Sequence, residues 1–244
     1  MKFQKVSLYL SNQRIDRYLA ATGNNKTKAN RLYKANLKIA QAFHPLLGIL
    51  EVTLRNRINA ILTAHFADPD WIINQKYGFM NSPSLTNINR RTRQSRTNDF
   101  LKSSVEKAER RIRRLRIPIA SCKIIADQAL GFWTDLFELH HYRLLLGKPI
   151  QIFNHLPSGY GRSEVCKKLN NIRRFRNRIN HNEPICFRGN TIDFTYAEEI
   201  YNECIEILEW IDPELISWIG DIDAVKIKIA NAKTIQQIPY FSSA

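Results

Sequence analysis

The chain has 244 residues, which is enough for one large globular domain or two small ones. A hydrophobic share of 44% and an aromatic share of 10% can build a substantial core and exclude intrinsic disorder. The 37 Lys and Arg residues exceed the 22 Asp and Glu residues by 15, and a surplus of this size makes a polyanion the first partner to consider.

The first 66 residues predict three helices. Ser11 and Thr27 are the expected N-caps of the first two, which are separated by a break at 22–25. Pro45 is expected to begin the third helix, which ends near Phe66. Its apolar residues repeat at steps of three and four: Leu47, Leu50, Leu54, Ile58, Ile61 and Leu62.

The middle of the chain predicts a long connection at 67–88, because Asp, Pro, Asn, Ser and Gly are frequent there. A helix is expected from about 88 to Arg116, where Pro118 interrupts the pattern. A further aromatic-rich helical stretch is predicted over 121–146. It contains Leu130-Gly131-Phe132-Trp133, and its aromatic residues are expected in the core.

The last third predicts a helix that opens near Ser163 and is stopped by Pro184. Residues 185–194 form the one credible β-hairpin, with Gly-Asn at its turn. Closing helices are expected around 196–210 and 213–232. The predicted fold class is therefore all-α, with one small hairpin.

No signal for export, membrane insertion or metal binding is found in the sequence. The N-terminal residues lack the apolar run of a secretory signal, and no apolar stretch reaches the roughly 18 residues of a membrane span. Cys122, Cys166, Cys186 and Cys204 form no CxxC pair. We therefore expect a cytoplasmic protein with reduced, mostly buried cysteines and neither metal nor cofactor. The adjacent histidines at 140–141 are expected at the surface or at an interface.

The positive charge is concentrated between Arg90 and Arg116, where eleven Lys or Arg residues face three acidic ones. This basic segment is either a solvated helix face or a contact surface for a nucleic acid backbone, and we favour the second. The expected RNA-binding residues within it are Arg90, Arg91, Arg93, Arg110, Arg111, Arg113 and Arg114.

Residues 170–185 read NNIRRFRNRINHNEPI and carry the best candidate site. At about 100° per residue, Ile172, Phe175 and Ile179 form one apolar stripe. A polar arc holds Arg173, Arg176, Asn177, Asn180 and His181. Arginine can grip a phosphate through two parallel hydrogen bonds, and histidine transfers protons near neutral pH. Taken alone, the Arg-x4-His spacing is weak, because a histidine at a helix end is often a cap or a surface residue.

The pentapeptide Arg-Asn-Arg-Ile-Asn occurs twice, at 55–59 and at 176–180. The first copy is followed by Ala60 where the second has His181, so it lacks the proton carrier. Glu51, Arg55 and Asn56 therefore form a candidate degenerate second motif, unless the match is coincidence and Glu51 simply pairs with Arg55.

Several separated motifs follow one another in an order that is known from a protein family. They are Leu10-Ser11-x-x-Arg14-x-x-x-Tyr18-Leu19, Leu32-Tyr33-x-x-Asn36, Leu50-Glu51-Val52-x-Leu54-Arg55-Asn56, Gly131-Phe132-Trp133 and Arg176-Asn177-Arg178-Ile179-x-His181-x-Glu183-Pro184-Ile185. Through them most of the chain resembles the Abi-like abortive-infection family, which includes the AbiD and AbiF proteins of phage defence. The family usually has a second histidine where this chain has Asn182.

The Abi-like family is similar to the HEPN superfamily, whose mark is Arg-x4–6-His. The resemblance implies one domain over 1–244: N-terminal helices over about 1–66, the basic segment, and a HEPN-like helical bundle at about 119–232. It implies a metal-independent endoribonuclease in which Arg176 holds the scissile phosphate, His181 is the general acid or base and Asn177 orients it. Arg173, Arg174 and Arg178 are expected to bind RNA.

The resemblance also implies a toxin, either in phage defence or in a toxin–antitoxin pair. RNA is then the substrate, and a structured RNA is a candidate antitoxin. HEPN sites commonly form across a homodimer, and we favour this arrangement over a pseudo-symmetric site within one chain. Two alternatives stay open: a non-catalytic RNA-binding module, and a scaffold within a defence complex.

Overall fold

The computed structural model of the protein describes residues 3–88 and 91–237. Of these residues 69% are helical and 4% lie in strands, which confirms the predicted all-α class. The helices are α1 (Phe3–Leu10), α2 (Asn12–Ala21), α3 (Lys26–Phe66), α4 (Trp71–Asn74), α5 (Phe100–Arg114), α6 (Ser121–Asp127), α7 (Leu130–Asp135), α8 (Leu139–Leu144), α9 (Arg162–Asn180), α10 (Thr195–Ile211), α11 (Glu214–Trp218) and α12 (Val225–Lys233).

Helix α3 continues through Pro45, so the prediction of a new helix there is wrong. An interior proline costs about 3 kcal/mol of helix stability, since it removes a backbone hydrogen bond. Phe43, Leu46 and Leu50, on either side of it, are at most 2% exposed. Burying such side chains contributes about 1.5–3 kcal/mol each, which outweighs the cost of the proline.

The first two helices also begin differently from the sequence prediction. Asn25 caps α3, because its Oδ1 accepts a hydrogen bond from the Lys28 backbone N–H at 2.9 Å. Thr27 lies inside the helix instead. Ser11 precedes α2 but makes no side-chain cap hydrogen bond, and its φ of 65° is left-handed.

Two short antiparallel hairpins are present, where the sequence predicted one. The predicted hairpin joins β3 (Phe187–Arg188) to β4 (Thr191–Ile192) and is confirmed. The other joins β1 (Thr86–Ile88) to β2 (Ser95–Thr97), in a region expected to become helical. The hydroxyls of Thr86 and Thr97 lie 2.8 Å apart across this hairpin. The apolar helical repeat of α5 starts only at Leu101, so nothing favours a helix over 88–99.

Three other predicted segments contain more helices than the sequence predicted. The expected connection at 67–88 contains α4 and the buried residues Trp71, Ile72, Phe79 and Met80. The helical stretch at 121–146 is split into α6, α7 and α8, because Gln128 and Glu138 have extended backbones. The last predicted helix is split into α11 and α12.

The chain divides into two compact units. The single domain over 1–244 stays a prediction. The first unit comprises Met1–Gly48, Arg174–Glu206 and Glu214–Ala244. Its core contains edge-to-face ring pairs: Tyr18 with Tyr33 at 5.2 Å, Tyr18 with Phe187 at 5.1 Å, and Phe43 with Phe175 at 4.7 Å. The buried Asn36 accepts a hydrogen bond from the Ile185 N–H at 2.8 Å.

The second unit comprises Ile49–Arg173 and Ile207–Pro213. Trp71, Trp133 and Phe137 are completely buried in it. It also contains a buried ion pair between Lys76 and Glu109. Glu109 is one of the three acidic residues that the sequence places in the basic segment. Because it is paired with Lys76, it does not offset the charge of the neighbouring arginines.

Among the described residues, α3 is the one helix that is long and apolar enough to cross a membrane, by length and composition. In its most apolar window 39% of the residues are buried, and core helices of soluble proteins meet the same criteria. The predicted cytoplasmic location stays a prediction. Cys166, Cys186 and Cys204 are buried free thiols and Cys122 is exposed, as expected of mostly buried cysteines.

Candidate functional site

Helix α9 presents the predicted apolar stripe to the core. Ile172 and Phe175 are completely buried, and Ile179 is 3% exposed. Within the first unit the Phe175 ring contacts those of Phe43 at 4.7 Å and Tyr196 at 5.4 Å. These contacts fix the rotation of α9, and therefore which of its side chains face solvent.

The polar arc of α9 carries the three predicted catalytic residues to the surface. Asn177 and His181 are exposed, and Arg176 is half-buried. His181 lies one residue beyond the end of α9, and its backbone N–H donates to the Asn177 carbonyl at 3.0 Å. The structure thus brings Arg176, Asn177 and His181 onto one helix end, as the sequence predicted.

A Schellman motif, rather than Pro184, ends α9. The Glu183 N–H donates to the Arg178 carbonyl at 2.8 Å, and the Asn182 N–H donates to the Ile179 carbonyl at 2.9 Å. Asn182 has a φ of 52°, a left-handed conformation in which Asn and His are both enriched. The residue that departs from the family pattern therefore has a backbone role that either amino acid can fill.

Two residues outside α9 hold the segment that follows His181. Arg14 of α2 donates to the Asn182 carbonyl at 2.8 Å, and Asn36 of α3 accepts from the Ile185 N–H. Sequence reasoning assigned no role to either residue, although both belong to the motifs that carry the family resemblance. They position the turn beside His181.

The other predicted RNA-binding arginines of α9 differ in their surroundings. Arg178 forms an ion pair with Glu183 at 3.4 Å, donates to the Pro184 carbonyl and lies over the Tyr196 ring. These contacts hold Arg178 against the protein. Arg174 is exposed. Arg173 is half-buried, and in the second unit its side chain lies beside Gly131.

Part of the basic segment lies between β1 and β2 and in β2 itself. Arg91 and Arg93 precede β2 and Arg96 belongs to it; all three are exposed, and Arg93 has a left-handed φ of 59°. Arg90, which was also predicted to bind RNA, lies outside the described residues.

The remainder of the basic segment is the C-terminal half of α5. Its buried face is apolar apart from Glu109, whereas Arg110, Arg111, Arg113 and Arg114 are all exposed. Arg111 forms an ion pair with Asp127. Among the described residues the other three have no acidic partner. Arg113 and Arg114 follow Arg110 by three and four positions, so all three lie on one side of the helix. We call these three residues the α5 arginine face.

A second basic surface was missed from the sequence. A cleft of about 330 Å³ in the first unit is lined by Arg31, Lys34, Lys38 and Lys228, together with Ala35, Asn231, Ala232 and Ile235. No carboxylate of the described residues lines it, so we call it the basic cleft. The spacing of Arg31, Lys34 and Lys38 by three and four residues marks one helix face and was visible in the sequence.

The candidate degenerate motif occupies an environment similar to that of the first. Glu51 and Arg55 are half-buried at the edge of the face of α3 that buries Leu54 and Ile58, and Asn56 is exposed. Arg55 Nε donates to Asn56 Oδ1 at 3.4 Å. This motif lies in the second unit, whereas His181 lies in the first, so a pseudo-symmetric site stays a prediction.

The adjacent histidines were predicted at the surface, which is wrong for His141. His141 is completely buried and its Nδ1 lies 2.9 Å from Asp135 Oδ2. His140 is half-buried beside it, with ring centroids 4.2 Å apart. Burial, and next the neighbouring His141, lower the pKa of His140.

Comparisons of the chain with protein-family models, with curated proteins and with solved structures found no match. These comparisons assign no family to the chain. The resemblance to the Abi-like proteins therefore rests on the sequence motifs given above.

Proposed function

We propose that this chain is a metal-independent HEPN-type endoribonuclease that acts as a toxin, in phage defence or in a toxin–antitoxin pair. The observation that carries the proposal is the end of α9, where Arg176, Asn177 and His181 share one solvent-facing surface. These side chains supply a phosphate grip, an amide and a proton carrier within about 1.4 helical turns. The helical fold suits a HEPN-like bundle with additional N-terminal helices.

The proposed reaction is attack of the ribose 2′-hydroxyl on the adjacent phosphate. A bond forms between the 2′ oxygen and phosphorus, and the bond from phosphorus to the 5′ oxygen breaks. One proton leaves the 2′ oxygen and one reaches the 5′ oxygen, so the products are a 2′,3′-cyclic phosphate and a 5′-hydroxyl. Arg176 stabilises the charge that develops on the phosphate, and His181 transfers a proton. Asn177 lies one turn before His181 and orients it.

The charge distribution supports RNA as the substrate or as an antitoxin. The net charge is +15, and the α5 arginine face and the basic cleft are exposed concentrations of it. Such surfaces bind a phosphate backbone largely without regard to sequence, because each contact releases condensed counterions. If RNA binds at these surfaces, their arginines and lysines should be protected from chemical modification when RNA is present.

A homodimer completes the proposed site. One copy of the motif offers one imidazole, whereas the reaction benefits from a base on one oxygen and an acid on the other. His181 and Asn177 are exposed and lie outside the basic cleft, so a second copy of the chain can approach them. A second copy related by a two-fold axis would enclose a single phosphate between two sets of these residues.

The competing function is a non-catalytic RNA-binding module. The open position of His181 favours it, because catalytic and ligand sites are mostly concave. In that case the arginines grip the backbone and His181 is structural.

Cleavage of RNA by three alanine variants distinguishes the two functions. We expect His181→Ala and Arg176→Ala each to lower the cleavage rate by at least about 100-fold, within the range for loss of acid–base catalysis or of charge stabilisation. Lys167→Ala is the matched control, since Lys167 is an exposed residue of α9 outside the polar arc, and this variant should cleave RNA normally. Circular dichroism and thermal unfolding must show that all three variants are folded.

Products and metal dependence complete the test. Mass spectrometry should find 2′,3′-cyclic phosphate ends, and cleavage should persist in EDTA at a temperature where the EDTA-treated protein remains folded. Undiminished cleavage by folded His181→Ala protein would overturn the catalytic assignment. RNA binding without cleavage by the wild type would support the binding module instead.

A further inference from the structure

Three potential metal ligands meet in the second unit, away from the residues of the proposed nuclease site in the sequence. Asp135 is the last residue of α7, and His140 and His141 lie in the first turn of α8. One donor atom from each lies within 4.8 Å of the donor atoms of the other two. The side chain of His141 is completely buried and that of Asp135 is 13% exposed.

One atom of this cluster, Nε2 of His141, is buried without a hydrogen-bond partner among the described residues. Oδ2 of Asp135 is also buried, and its neighbour is Nδ1 of His141. The other ring nitrogen of His141 lies 3.3 Å from the Asp135 carbonyl oxygen and 2.9 Å from Oδ2. A buried polar atom that is left unpaired costs roughly 1–3 kcal/mol, so the cluster is better satisfied with a further group bound.

We propose that Asp135, His140 and His141 bind a divalent transition-metal ion, with Zn²⁺ as the expected ion. Two imidazoles and one carboxylate are a donor set that suits Zn²⁺, which takes nitrogen and oxygen ligands at about 2.0–2.2 Å. At those bond lengths the ligand atoms of a tetrahedral site lie about 3.3–3.6 Å apart. This lies between the 2.9 Å from Nδ1 of His141 to Oδ2 of Asp135 and the 4.8 Å that bounds the cluster.

The surroundings of His140 support the site. Its Nε2 lies 2.7 Å from Nδ2 of Asn98, so binding of the metal by Nδ1 requires the Asn98 amide to turn. An amide can turn its oxygen toward the same neighbour, and a metal-ligating histidine typically donates its second N–H to such an acceptor. His140 and Asn98 also line a cleft of about 1020 Å³. The cleft gives an ion access from solvent and leaves room for water as a fourth ligand.

The ion would join the end of α7 to the start of α8 and, through Asn98, to the segment that follows β2. Its first effect is therefore on the stability of the second unit. This inference does not depend on the proposed nuclease activity.

Titration of the metal-free protein with Zn²⁺ tests the proposal. The full chain, without an affinity tag, is treated with EDTA, freed of EDTA and followed by calorimetry and thermal unfolding. We expect one Zn²⁺ per chain and a rise in Tm. Co²⁺ should bind at the same stoichiometry and give the visible absorption that is typical of Co²⁺ with a low coordination number.

Variants separate the cluster from adventitious sites. His140→Ala, at a half-buried position, and Asp135→Asn, which keeps the side-chain shape, should each weaken Zn²⁺ affinity at least 10-fold. His155→Ala is the matched control, because His155 is exposed and outside the cluster, and it should bind as the wild type does. Absence of stoichiometric binding, or equal binding by wild type and His140→Ala, would overturn the proposal and leave Asp135 and His141 as a buried ion pair only.

Discussion

Neutralising the α5 arginine face should change the salt dependence of RNA binding. Each phosphate contact contributes about 0.7 to the slope of log K against log salt for a single strand and about 0.9 for a duplex. Arg110, Arg113 and Arg114 are exposed and have no acidic partner among the described residues, so three contacts are available. Replacing all three by Gln should therefore flatten the slope by roughly two to three units.

Fluorescence anisotropy with a labelled RNA measures this slope, in a His181→Ala background so that the RNA is not cleaved. Between 50 and 200 mM salt, wild-type affinity should fall roughly 20- to 40-fold more than that of the triple variant. Arg111→Gln is the matched control: Arg111 is already paired with Asp127, and the slope should move by less than about half a unit.

The result that would refute this reasoning is a triple variant with an unchanged slope. The arginines would then serve the helix itself, since Arg113 and Arg114 lie in its last turn, where positive charge interacts favourably with the helix dipole by about 0.3–1 kcal/mol per residue. In that case the triple variant should lose thermal stability instead of salt dependence. The two readouts thus separate an RNA surface from a solvated helix end.

Three further predictions concern assembly, backbone conformation and the cysteines. In a homodimer with a shared site, mixing wild type with excess His181→Ala should lower cleavage beyond simple dilution; a loss proportional to dilution would indicate a self-contained monomer. Asn182→Ala should lower the free energy of unfolding by about 1–2 kcal/mol, because Ala disfavours the left-handed φ, whereas Asn182→Gly should not; equal denaturant midpoints would contradict this. Iodoacetamide at pH 8 should label Cys122 before Cys186 by mass spectrometry, because burial shields the Cys186 thiol, raises its pKa to about 12 and so keeps it protonated; equal labelling rates would contradict the buried position.

Local sequence patterns were sufficient for the elements that carry the candidate site. The apolar stripe of Ile172, Phe175 and Ile179 predicted both α9 and its rotation, because helical periodicity alone determines which side chains share a face. The Gly-Asn turn predicted the β3–β4 hairpin for a similar reason, since it depends on the backbone preferences of two residues. Arg176, Asn177 and His181 were therefore placed together before any tertiary contact was known.

Other features depend on the tertiary structure, because local sequence preferences either oppose them or do not determine them. Pro45 disfavours a helix, and only the burial of Phe43, Leu46 and Leu50 keeps α3 continuous. The basic cleft requires Lys228, which is almost 200 residues from Lys34 in the chain.

Burial of a polar side chain is likewise a property of the packed protein. His141 reads as a surface residue in the sequence, since a histidine pair carries no signal for the interior. In the structure it is completely buried, with Asp135 and His140 beside it. The sequence by itself determined the helical class and the polar face of α9, because both follow from spacing along one helix. Packing between distant segments decided which charged and titratable side chains are buried, paired or open to solvent.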